Sequence, residues 1–189
     1  MRIPDAGWQR LRTAGPWVLD GLLAVVAAGA GVATLATVLP FDPGSPEAWA
    51  AYLLVLAHTL PIAVRRRWPL AVLAWGLATG VAFAALGLNL VSLTFAVLVY
   101  LYTVAAHRPR VASLAGLAAT EALLVQVWLA RPRALGDGGT LVLDGLIMAA
   151  GWWLGDGARR RQEAVVTARQ RAEELERARE ELARRAVTE

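Results

Sequence analysis

The stretch "LPIAVRRRWPLAVLAW", residues 60–75, sets three consecutive arginines between two apolar runs. Lipid admits long apolar helices, and arginine clusters collect where such helices leave it. The same alternation recurs along the chain. Apolar runs cover residues 16–39, 48–64, 69–87, 90–106, 111–130 and 140–155. A membrane span needs roughly 20 mostly apolar residues. The first, third and fifth runs meet that length, the second and fourth are short, and the sixth is shorter still. A helix of a soluble bundle is apolar on one face only. These runs are apolar all round, so the sequence predicts an all-α membrane protein with six spans. The backbone must be helical because hydrocarbon cannot satisfy open peptide groups.

Composition agrees. Of 189 residues, 57% are hydrophobic, and charge becomes dense only from Arg159 onward. Three segments follow: residues 1–15 before the membrane, a six-helix domain over 16–155, and a polar helix over 156–189. The first run is too long for the h-region of a cleavable signal peptide and is expected to be a retained anchor. All 19 basic residues are arginine, and cysteine is absent, which removes disulfides and thiolate metal sites. The arginines cap apolar runs, which speaks for topology rather than for nucleic-acid binding.

Arginine placement predicts orientation. Arg2, Arg10 and Arg12 precede the first run, Arg65–Arg67 follow the second, Arg108 and Arg110 follow the fourth, and Arg159–Arg161 follow the sixth. The alternate connections hold only Arg131 and Arg133. The positive-inside rule then puts both termini in the cytoplasm. Trp17, Trp68, Trp152 and Trp153 mark one interface, and Trp49 and Trp128 the other.

Beyond the last run, Val165, Ala168, Ala172, Leu175, Leu182 and Ala186 fall on alternating three- and four-residue steps if Arg179 takes one seam position. That is a heptad stripe, and it predicts a weak coiled-coil homodimer. Glu173 and Arg177, Glu180 and Arg184, and Glu181 and Arg185 add i,i+4 pairs. The chain stops at "RRAVTE" with no helix-ending residue, which suggests a helix cut in mid-course.

Together with "YTVAAHRPR" (102–110) and "RRRQEAVVTARQRAEELERAREELARRAVTE" (159–189), the opening stretch resembles the N-terminal membrane region of actinobacterial-type sensor histidine kinases, the class pairing with helix-turn-helix response regulators. The resemblance covers essentially the whole chain. It implies an input module passing a bilayer-level stimulus to a dimeric kinase core that would use ATP and Mg and phosphorylate a response regulator. No catalytic residue or cofactor site of that family has a counterpart here. The rival readings are a multispan membrane scaffold and a transporter or channel subunit with a dimerising tail.

Four smaller features stand out. His58 and Glu121 fall at similar depth in the second and fifth runs, where a Glu–His pair would lower the cost of burying either group and form a polar switch. Pro61 should kink the second run. Gly155, Asp156 and Gly157 leave the sixth run as a candidate hinge; Gly76 with Gly80, and Gly151 with Gly155, have GxxxG spacing for close helix packing or a dimer face. The pentapeptide "VLDGL" occurs twice, with Asp20 expected to meet Arg10 or Arg12 and Asp144 to meet Arg131 or Arg133. Lipid is the expected medium, with anionic headgroups near the arginine clusters.

Overall fold

The computed structural model describes residues 15–39, 42, 44–88, 91–130 and 138–188. Among these, every regular element is helical: α1 Pro16–Val38, α2 Pro46–Thr59 with a 3-10 continuation Leu60–Val64, α3 Pro69–Leu86, α4 Val91–His107, α5 Arg110–Ala130 and α6 Gly138–Thr188. Proline opens α1, α2 and α3. Its fixed φ suits the first helical turn, where its missing N–H forfeits nothing. At α2 the Ser45 hydroxyl also accepts from the Ala48 N–H at 3.2 Å, and Glu47 lies in the first turn.

Pro61 produces a change of helix type rather than a simple bend. It has no N–H to give the Ala57 carbonyl, and the chain tightens from α to 3-10 at Leu60. The freed Ala57 carbonyl accepts instead from the Trp75 indole of α3 at 2.7 Å, and the next carbonyl, His58, accepts from the Tyr100 hydroxyl of α4. One proline thus ties α2 to two neighbours through groups that a regular helix would consume internally.

The six-span, separate-tail architecture is corrected on two counts. Among the described residues, four helices are long and apolar enough to cross a membrane: Trp17–Thr37, Pro46–Val64, Pro69–Leu86 and Arg110–Ala130. Helix α4 has 17 residues, about 25 Å at 1.5 Å per residue, against a hydrocarbon core of about 30 Å. Its role is different. Ala96, Tyr100, Leu101, Val104 and Ala105 are all at 0% exposure, so α4 presents a fully buried face to the other helices, with Phe95 and Tyr102 exposed on its other side. The apolar part of α6 is diluted by Asp144 and by glycines, and it runs without a break into the charged tail. The residues from 156 onward are therefore the outer part of one 51-residue helix, with no separate coiled-coil element.

The core follows from this arrangement. Helix α6 packs most extensively on α4, while α1 lies against α2 and its 3-10 end. Val72, Leu73, Tyr100, Leu101, Val104 and Met148 form the main cluster. A second cluster, Leu35, Val55 and Phe83, closes the opposite end.

Candidate functional site

Two polar centres stand out in the apolar bundle. The first is built around His58, at 0% exposure in the last turn of α2. Its Nδ1 shares a 2.6 Å hydrogen bond with the Thr79 hydroxyl of α3. That hydroxyl has one hydrogen, which the Trp75 carbonyl accepts at 2.9 Å. The Gly76 carbonyl lies 3.0 Å from the same hydroxyl, so Thr79 joins the imidazole to the α3 backbone. The rings of Phe83 and Tyr100 stand edge-on to the imidazole. Gly76 allows the closure: a Cβ there would come within 2.7 Å of the Tyr100 ring. Gly80, one turn on, differs. A Cβ there would meet only Leu123, at 3.9 Å, because Gly80 lines an apolar cavity of about 50 Å³ with Val97, Thr120 and Met148. Both glycines of "GLATG" border this cavity, but only Gly76 also stands against a ring.

The second centre is ionic and lies at the arginine-rich end. Asp20, 2% exposed in the second turn of α1, accepts from Arg65 at 2.7 Å and from Arg66. These arginines immediately follow the 3-10 segment, so the clamp fixes α1 to the end of α2. Arg10 and Arg12, the partners expected from sequence, lie outside the described residues, as do Arg131 and Arg133 for Asp144. The loop cluster's pairing with Asp20 had no local signal, because the partners are 45 and 46 residues apart.

The same chemistry recurs on α6. Asp156, 2% exposed, accepts from Arg159 and from Arg160 at 2.7 Å. The Arg159 guanidinium, then that of Arg160, holds the Asp156 carboxyl below the usual carboxylate range against the opposing effect of burial. The candidate hinge residues sit inside this continuous helix. Gly155 is wedged: a Cβ would collide with the Tyr102 carbonyl and with Ala105 of α4 at 2.8 Å, whereas one at Gly157 would meet nothing. With Gly151 against Leu98, the GxxxG pair of α6 packs within the chain. Trp152 adds a 3.2 Å bond from its indole to Ser113 of α5.

His58 and Glu121 have different neighbours. His58 faces Thr79 and Tyr100, while the Glu121 carboxylate lies against Gly145 of α6, where a Cβ would stand 2.9 Å from Oε2. Glu121 Oε1 is enclosed without a hydrogen-bond partner. Of the heptad stripe, Val165, Ala168, Ala172 and Leu175 are exposed along the rod, and the side chains of Leu182 and Ala186 lie outside those described. Among the described residues no three His, Asp or Glu side chains gather as a metal site.

Residues 7–162 match the model of a domain of unknown function, DUF7134. The chain belongs to this family. The DUF7134 match takes in the bundle, the Asp20 clamp and the Asp156–Arg159–Arg160 cluster, and ends at the first exposed turns of α6. No curated protein and no solved structure matches the chain.

Proposed function

We propose that the chain is a membrane-embedded scaffold or signalling module that projects a helical rod from its arginine-rich end for a partner to grip. The observation behind this reading is α6. One helix begins against α4 and continues to Thr188, with every side chain from Arg160 to Glu181 exposed. A polar helix exposed all round is held by i,i+4 pairs or by a partner. Arg159–Glu163 and Arg177–Glu173 supply such pairs, and the Val165–Leu175 stripe supplies an apolar seam. The seam fits a second copy of the chain. The cavity beside Gly80, small and bordered mainly by apolar side chains, favours a scaffold over a conduit.

The absence of native cysteine makes the test direct. Leu175→Cys, on the seam, should cross-link in membranes several-fold faster than Arg177→Cys, off it. Equal rates at the two positions would sink self-association through the rod.

A second reading, the input module of a sensor histidine kinase, rests on the residue-level resemblance and on the unbroken helix. A rigid helix rooted in the bundle is the kind of element that carries rotation or displacement to a distant domain. Phosphohistidine formation on the full-length product with ATP and Mg distinguishes it from a pure scaffold.

A further inference from the structure

At the arginine-rich end, the corner Ala106–Pro109 between α4 and α5 faces the first exposed turns of α6 across an open groove of about 750 Å³. His107, Arg108, Arg159, Gln162 and Glu163 border it. The half-buried Arg108 has no ion-pair partner among the described residues. Arg159 spends one nitrogen on Asp156, and a second lies 3.3 Å from Glu163, whose side chain is 61% exposed. Its Nε is enclosed and has no hydrogen-bond partner among the described residues. Arg108 is therefore the uncommitted cation on the groove wall, and Arg159 beside it is released for a ligand only where the exposed Glu163 side chain gives way.

We propose that this groove binds the phosphate of an anionic membrane lipid, with Arg108 as the principal ligand and Arg159 as the second. Guanidinium matches phosphate geometry through paired N–H donors. Depth selects the lipid as the source. The groove lies where α4 ends and α5 begins, at the headgroup level of a bundle whose helices cross the bilayer. Val111 and Leu114, on the first turns of α5 just past the corner, are 82% and 42% exposed and offer an apolar surface for the attached chains. A lipid seated here bridges the corner to the root of the rod, so headgroup charge would brace α6 where it leaves the bundle. This goes beyond the scaffold reading and is tested separately from it.

The test uses the whole chain, purified and stripped of lipid, titrated with phosphatidylglycerol or phosphatidylcholine of identical chains, with retained lipid counted by native mass spectrometry. Phosphatidylglycerol, whose headgroup is net negative where that of phosphatidylcholine is neutral, should be held about tenfold more tightly. Arg108→Gln should abolish that preference. Arg161→Gln, on the exposed rod and outside the groove, should keep it. Equal retention of the two lipids, or equal loss in the two variants, overturns the site. So does a preference that survives in Arg108→Gln with its helix content intact by circular dichroism. Glycerol 3-phosphate displacing the lipid at matching concentration overturns the lipid assignment in favour of a soluble phosphate compound.

Discussion

A missing N–H at Pro61 organises the middle of this bundle. It frees the carbonyl that Trp75 takes and sets the turn in which Tyr100 reaches His58. Glycine decides how close those partners stand. Gly76→Ala would drive a methyl into a Tyr100 ring at 0% exposure that has nowhere to move, at a cost of about 1–3 kcal/mol. Gly80→Ala enters the cavity without a clash and should leave stability unchanged or raise it by up to about 1 kcal/mol. Thermal unfolding of the two variants in the same detergent checks the contrast. Equal losses would mean that the cavity beside Gly80 is closed. Both glycines look alike in the sequence; only the neighbouring helices tell them apart.

At the scale of elements, α6 is seated on α4 by the wedge at Gly155, and an ion cluster within the helix follows directly. The Asp156 carboxyl has a lower pKa in the folded chain than in the unfolded one, so folding favours its ionised form. That stabilisation is complete above the unfolded carboxylate range, about pH 4, and is lost as pH falls through the folded pKa. Wild type should therefore unfold at a higher temperature than Asp156→Asn at pH 7 and at pH 5, with the gap closing below about pH 4. A gap independent of pH would show that the cluster acts by packing alone. Much of this element was legible beforehand. The apolar runs, their punctuation by arginine and the helical tail all follow from local pattern; Pro61 was expected to bend the second run, and it shifts the helix to 3-10 geometry instead. What pattern could not give was α6 as a single helix. Two glycines around Asp156 read as a weak point, because nothing local shows that Gly155 fits under the Tyr102 carbonyl. Run length likewise could not show that α4 turns most of its surface to other helices, leaving Phe95 and Tyr102 exposed. An apolar stretch looks the same whether lipid or other helices surround it. The placement of Glu121 against Gly145, and of His58 against Thr79, depended on helix rotation, which depth alone does not fix.

For the whole molecule, the four helices that meet the length and composition of a membrane span surround a shorter one that does not, with α6 laid along its side. Removing α6 should therefore do more than remove a rod. A chain stopped after Ala130 would uncover the faces of α4 that Gly151 and Gly155 now approach. It should lose folded stability well beyond what a chain stopped after Arg161 loses, and limited proteolysis in membranes would register the difference as cleavage around α4. Matching cleavage patterns would show that α4 is held by α1–α3 and α5 alone. The buried position of α4 also bears on biogenesis. The ribosome delivers α4 before α6, so during synthesis a marginal helix waits with its best partner not yet made. Its retention in the membrane at that stage falls to the helices already inserted, and α6, emerging later, completes its packing.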